Sequence, residues 1–355
     1  MRVLVATDTI GSLSSARAGA LVATGWPGAE VTVVSLGEAG AGFPQALADQ
    51  LGVELESGVL GDRVVSVARS DGDVVVGVEN AAPDTAEVIA YHATSAALGY
   101  AVRQVLDGAV PTTRLVVDLA GDPVHDGGAG FLHALGAEAD VELDRGVAGL
   151  ADLSRLDLTA VRQRLGGAEL IGVVPSEEID QLLLGLRGIT SLRSRDPRAD
   201  RARLLETDTA LTTFARLAAP DQAERAGAGA SGGLGFAVLA LGGRLVTGPQ
   251  FAFESSAVRD AVRSTDLVVT GCTVFDFARR GGGVVAEAAR IGVEQLCPCI
   301  AVAAEVLIGG REMRTMGIES AYPLREPSLE SPHGGDVSEA ELMATARRIG
   351  RSWRW

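Results

Sequence analysis

Three times along this chain a short apolar run ends in a loop bearing glycine and an acid, and each loop leads into a helical pattern. Val3 to Ala6 runs into Asp8-Thr9-Ile10-Gly11-Ser12 and then a helix from Ser14 to Val22. Leu115 to Leu119 runs into a loop from Gly121 to Gly130, and a helix starts over Phe131 to Leu135. Leu267 to Thr270 runs into Gly271 to Gly283, and a helix covers Val284 to Ile291. A strand covered on both faces has no polar side to show, so it reads as an unbroken apolar run. Parallel neighbours of that kind need a helical crossover between them. The pattern therefore restricts the chain to the α/β class with a doubly wound parallel sheet.

The 355 residues correspond to about two domains at roughly 150 residues each. Near the start, Val31 to Val34 reads as a second strand and Pro44 to Leu51 as a helix. The texture changes after Leu55, where Val64 to Val67 and Val74 to Val76 flank Asp71-Gly72, a hairpin signal. Thr94 to Leu106 reads as a helix, residues 176–225 as helical, and Ala226 to Gly235 as a glycine loop before a helix ending near Leu241. Ile300 to Ala303 is a further strand, and Ser338 with Glu341 forms a capping box for the last helix. The expected architecture is a Rossmann-like or flavodoxin-like parallel-sheet domain from residues 1–55 and 261–355. Residues 56–260 are expected to be an inserted second α/β domain.

Aromatic residues make up 4% of the chain and hydrophobic residues 47%, so Ala, Val and Leu must fill the core. The net charge of -15 repels a phosphate backbone, which argues against nucleic acid as a partner. All 31 basic residues are arginine, and there is no lysine to act as a point charge on phosphate. Three cysteines fit a reducing compartment, Asp8 interrupts any signal-peptide pattern, and no apolar run reaches about 20 residues. A cytoplasmic protein without a membrane partner is expected.

In open α/β sheets ligands gather at the carboxyl ends of strands, where helix N-termini offer free N–H groups to anions. The three loops are thus the candidate site. Buried, inert cysteines are commoner than thiolate metal sites, so Cys272, Cys297 and Cys299 read as buried thiols rather than zinc ligands. His133 reads as packing, while His92 and His333 point to nothing. The basic, aromatic tail from Arg347 to Trp355 reads as a solvated helix end.

Four of these segments, in this order, resemble the bacterial glycerate kinase family. Asp8-Thr9-Ile10-Gly11-Ser12-Leu13-Ser14 is similar to that family's D-S-F-K-G-S-L-S. The run from Asp126 to Ala137 is similar to its N-D-G-G-A-G-M-L-Q-A-L-G-A. The run from Ala226 to Gly235 resembles its G-A-G-A-A-G-G-L-G, and Asp266 to Gly271 its D-L-V-I-T-G. The resemblance spans nearly the whole chain. It implies a two-domain kinase that transfers the γ-phosphoryl group of ATP to glycerate or a related hydroxy acid in a cleft between the domains. ATP and magnesium are the implied cofactors, a small organic acid and a nucleotide the implied partners, and a homo-oligomer is compatible. Carried over by position, Asp126, Asp276 and His125 are the candidate catalytic residues. Asp8, Ser12, Gly127, Gly128, Gly229, Gly232, Gly233, Gly235, Thr270 and Gly271 are the candidate cofactor-binding residues, and no dedicated metal site is assigned.

The departures have a direction. The first loop lacks the family's lysine, and Ala41 stands for the second acid of D-G-G-E-G-T. Asp122-Pro123-Val124-His125 replaces S-A-T-N, and Glu177 to Gly185 replaces C-D-V-x-N-P-L-C-G. Of T-G-E-G-x-x-D-x-Q-T…G-K, only Asp276 remains among the polar groups, with Arg279 or Arg280 the nearest cations. Fold-shaping glycines stay, while substrate-facing polar groups are gone. Losing one such contact costs about a hundredfold in rate. A non-catalytic paralogue binding a small anion or a protein partner is therefore the alternative. Asp8 and Asp126 read equally as capping acids, and His125 as a new acid–base group or a structural histidine.

Overall fold

The structure is a computed structural model that describes residues 1–40, 42–79, 87–108, 111–121, 123–278, 280–325 and 336–354. In chain order the first segment holds β1 (Arg2–Thr7), α1 (Ser15–Ala23), β2 (Glu30–Ser35) and α2 (Phe43–Leu51). The middle holds β3 (Glu56–Leu60), β4 (Arg63–Ser70), β5 (Asp73–Val78), α3 (Ala96–Leu106), β6 (Arg114–Asp118), α4 (Ala129–Leu135), β7 (Glu138–Ala139), β8 (Leu156–Asp157), α5 (Thr159–Leu165), β9 (Glu169–Val174), α6 (Ile189–Arg193), α7 (Arg201–Ala218), α8 (Leu234–Ala240) and β10 (Arg244–Thr247). The last segment holds α9 (Gly248–Ala252), α10 (Ser256–Arg263), β11 (Leu267–Asp276), α11 (Gly282–Glu294), β12 (Cys299–Leu307), α12 (Gly310–Thr315), β13 (Ser320–Pro323) and α13 (Glu339–Ser352).

Two units result. The first comprises residues 1–38, 45–52 and 248–355, and the second residues 39–44 and 53–247. The first unit is a fully parallel five-stranded sheet in the order β13-β12-β11-β1-β2. Its side chains alternate as a pleat requires. Val3 and Val5 join Val269 and Val302 beneath Leu21 of α1, Trp26 in the turn after it, and Leu342 and Ile349 of α13. Leu4 and Ala6 face the other way, with Val268 and Ala301, toward Val284, Val285 and Ala288 of α11. Ser14 caps α1 through a bond from the Arg17 N–H, and Ser338 and Glu341 form the reciprocal capping box of α13. From β1 the chain runs to β2 on one side, whereas β11, β12 and β13 lie on the other. The strand order therefore reverses between β1 and β11, the place where an open α/β sheet forms a binding crevice.

The second unit is a six-stranded mixed sheet in the order β10-β9-β6-β5-β4-β3. β5, β6, β9 and β10 are parallel, and β3 and β4 are antiparallel additions at one edge. The Asp71-Gly72 turn has φ of 41 and 89, as a tight two-residue hairpin demands. Leu115, Val117, Leu170 and Val174 share one core with Phe131, Phe214, Phe236 and Leu211.

The fold class is as expected, an α/β parallel-sheet domain with an inserted second α/β domain. Two expectations change in detail. Residues 176–225 are not one helical block, because a 3-10 turn at Ser176–Glu178 and a loop precede α6 and α7. β11 runs to Asp276 rather than stopping near Thr270, since its pairing with β12 continues through Val274–Glu305 and Asp276–Leu307.

Candidate active site

At the switch point of the first unit, the N–H of Asp8 donates to the carbonyl of Gly271 at 2.9 Å, continuing the β1–β11 pairing by one residue. Thr273 then ties down the loop after β1. Its hydroxyl accepts from the Gly11 N–H at 3.0 Å and donates to the Thr9 carbonyl at 3.2 Å. Ser15 anchors the other side, donating to the Thr7 carbonyl and accepting from the Leu36 N–H, both at 2.7 Å. The loop is therefore fixed from both neighbouring strands.

This frame presents two carboxylates. Asp8 accepts from the Thr9 N–H at 2.7 Å, and burial raises its pKa above the ordinary aspartate value despite that bond. Asp276 closes β11. The negative charges of both reach the buried Cys272 thiol, which burial first and those charges second push up to about 12. After Asp276 the chain turns through Phe277, 63% exposed, with the Arg280 guanidinium 5.7 Å from its ring. Ser12 is exposed on the first loop. Thr270 and Gly271 lie inside the sheet, several residues before the strand end, and the Thr270 side chain is fully buried with an unpartnered hydroxyl. Burial also raises the Cys297 and Cys299 thiols.

In the second unit the candidate residues occupy two loops that touch. The N–H of Gly127 donates to the carbonyl of Gly232 at 3.0 Å. Asp126 is fully buried and its carboxylate accepts four bonds: from the Ser95 N–H at 2.9 Å and hydroxyl at 2.8 Å, and from the N–H groups of Gly128 at 2.9 Å and Gly130 at 3.2 Å. Those donors hold the start of α4 against the start of α3. Desolvation outweighs them and raises the Asp126 pKa. His125 is buried, its Nε2 lies 2.9 Å from the Thr190 hydroxyl oxygen, and burial together with the Arg193 charge lowers its pKa to about 3. Its imidazole is neutral at physiological pH.

Gly229, Gly233 and Gly235 are buried. Gly232 is partly exposed, with φ of +66 and a position for a Cβ only 1.9 Å from the Val124 carbonyl. The glycine loop is shaped by backbone packed on backbone.

Three residues that the motifs did not single out belong to these loops. Asp118, at the end of β6, accepts from the Gly40 N–H at 3.0 and 2.8 Å and is pushed up to about 7 by burial. Glu178, in the 3-10 turn after β9, accepts from the Ser231 N–H at 2.7 Å. Ser231 itself carries a left-handed backbone. The motif Glu177 to Gly185 held a signal for Glu178, since an acid stands there in place of the second letter of C-D-V. Nothing local marked Ser231. Ala41, Asp122, Arg279, His333 and Trp355 lie outside the described residues.

Among the described residues no group of three or more His, Cys, Asp or Glu side chains is placed to hold a metal, and no helix is long and apolar enough to cross a membrane. A magnesium ion delivered with a nucleotide needs less, one or two carboxylates with phosphate oxygens supplying the rest. Asp8 stands one residue past β1, and Asp276 is the last residue of the neighbouring β11.

The profile of the glycerate kinase family matches residues 3–354. An uncharacterized protein of Mycobacterium bovis is 30% identical over 92% of this chain and 84% of its own length. The glycerate 2-kinase of Escherichia coli K12 is 25% identical over 91% of this chain and 90% of its own. A crystal structure described as glycerate kinase 2 of Salmonella typhimurium LT2 shares the fold with a TM-score of 0.80 at 22% identity, covering 99% of this chain and 98% of that one. The chain belongs to the glycerate kinase family.

Proposed function

We propose that this chain transfers a phosphoryl group from a nucleoside triphosphate, ATP in the first instance, to a hydroxyl of glycerate or a related small hydroxy acid. The observation that carries this reading is that Asp8, one residue past β1, and Asp276, the last residue of the neighbouring β11, both act on the buried Cys272 at the switch point of the first unit. They would hold magnesium, which neutralises phosphate charge as the group moves. Phe277 offers an exposed apolar face for a base, and Arg280 on the same turn brings a guanidinium 5.7 Å from its ring. Asp126 is a positioning residue, since its oxygens hold the loop and face no solvent. His125, neutral and buried, moves no proton near pH 7. Name and family of the relatives support the same reading.

The second reading is a non-catalytic relative that binds a small anion or a protein partner. The absence of lysine and the commitment of Asp126 to four structural bonds favour it. In either case the partner is a small molecule or a protein, and the net charge of -15 speaks against nucleic acid. The three unpaired cysteines support a reducing, cytoplasmic setting, and a homo-oligomer is compatible with both. Calorimetry with ATP and magnesium, with and without D-glycerate, followed by an assay for ADP, separates the readings. Binding and glycerate-dependent ADP formation support the kinase. No heat from the nucleotide under any condition sinks it.

A further inference from the structure

A cavity of about 500 Å³ lies at the outer edge of the first unit, between β13 and α13. Tyr322 of β13, Leu324 and Arg325 just past it, and Arg348, Ile349 and Ser352 of α13 line it. β13 is the edge strand of its sheet, and β12 separates it from β11, so the cavity stands apart from the switch point. Arg348 and Ser352 are exposed, so solvent reaches it.

The polar groups around the cavity are not equivalent. Arg325 is taken, since its Nε and Nη2 donate to Glu341 at 3.2 and 3.0 Å and Nη2 also donates to the Asp336 carbonyl. The Arg348 guanidinium has no hydrogen bond or ion pair among the described residues, and the Ser352 hydroxyl has none either. Tyr322 Oη accepts from Trp353 Nε1 at 2.7 Å, which turns its own hydrogen away from the indole. Among the described residues that hydrogen has no acceptor. One cation and two hydroxyl donors are therefore left over around one cavity.

The local charge and the apolar wall narrow the ligand. No acid follows Glu341 in the sequence, whereas Arg347, Arg348, Arg351 and Arg354 do, in a chain of net charge -15. The C-terminal end of a helix carries only about half a negative charge, which these arginines outweigh. A planar guanidinium fits a carboxylate with two parallel bonds. A phosphate dianion asks for more free cations than the wall holds. Leu324, Ile349 and the Tyr322 ring offer contact to a hydrocarbon body.

We propose that this cavity is a second ligand site, taking a small carboxylic acid with an apolar body, held by Arg348, Tyr322 and Ser352. The inference is independent of the kinase reading and needs no nucleotide.

The test is calorimetry on the full chain with hexanoate, acetate and inorganic phosphate at constant ionic strength. The wild type should bind hexanoate saturably, with a Kd of about 1 mM or below, and several-fold more tightly than acetate, because its methylenes gain an apolar wall. Binding should also change the emission of Trp353, which is bonded to Tyr322. Arg348 is exposed, so Arg348→Ala leaves the core intact, and it should weaken hexanoate about fivefold or more. Tyr322→Phe should weaken it about threefold. Arg216→Ala, which removes the same charge from α7 of the second unit, should leave the affinity unchanged. No saturable binding of hexanoate, or binding that Arg348→Ala leaves untouched, overturns the proposal. Phosphate bound more tightly than hexanoate, with the same loss in Arg348→Ala, overturns the carboxylate assignment.

Discussion

The N–H of Gly127 reaches the carbonyl of Gly232 at 3.0 Å, and this one bond joins the two glycine loops of the second unit. The approach leaves no room for a side chain at Gly232, where a Cβ would lie 1.9 Å from the Val124 carbonyl. Gly232→Ala should therefore cost at least about 2 kcal/mol, from overpacking and a strained φ together. Gly242 has φ of +83 but nothing within 4 Å. Gly242→Ala should then cost only the backbone strain, about 1 kcal/mol. Urea midpoints of the two variants separate crowding from strain.

Asp126 is expected to matter for stability. Asp126→Ala leaves the Ser95, Gly128 and Gly130 donors buried without their acceptor. Each such orphan costs about 1–3 kcal/mol, so the variant should lose more than about 3 kcal/mol in chemical denaturation. A variant that stays as stable as the wild type but loses activity would instead place Asp126 in the chemistry.

Asp118 and His125 should tilt stability in opposite directions with pH. The folded Asp118 holds its proton up to about pH 7, against a usual value near 3.8. Between these values the native state binds the extra proton, so this group's contribution falls as pH rises, by about 1.4 kcal/mol per pH unit. His125 is shifted from 6.5 to about 3. In that window the unfolded state binds the extra proton, so its contribution is complete above pH 6.5 and is lost as pH falls. Relative to wild type, Asp118→Asn should gain stability from pH 4 to pH 7, and His125→Gln should lose it from pH 4 to pH 6.5. Denaturant titrations at several pH values read both slopes, and equal behaviour of the two variants would contradict the burial of one of them.

Asp8→Asn and Asp276→Asn should separate activity from stability. If these carboxylates hold the metal, each change lowers kcat by about a hundredfold or more and raises the magnesium concentration needed for half-maximal rate. Burial already disfavours the charged form of Asp8, so Asp8→Asn should not lower the melting temperature. A rate unchanged in both variants removes the metal role.

Much of the architecture follows from local chemistry. The apolar runs at Val3, Leu115 and Leu267 become central strands because both faces are covered, and no other arrangement buries so unbroken a run. Asp71-Gly72 sets its hairpin through two positive φ values, and Ser338 with Glu341 starts α13 through two reciprocal bonds. The glycine motifs likewise fall in loops of close backbone approach, which leaves its imprint as missing side chains.

What each group in those loops does was decided elsewhere in the chain. Asp126 looks like a ligand acid beside two glycines, yet Ser95, 31 residues earlier, supplies two of its four donors. β11 outruns its apolar segment because β12 pairs with Thr270–Asp276, a partner no local pattern contains. Glu178 and Ser231 meet across 53 residues. Sequence alone determined which segments are strands, helices and tight turns, because backbone preference and face burial act within a few residues. Only the tertiary structure decided which carboxylates are taken up by structural hydrogen bonds, because burial and hydrogen-bond partners arrive from distant parts of the chain.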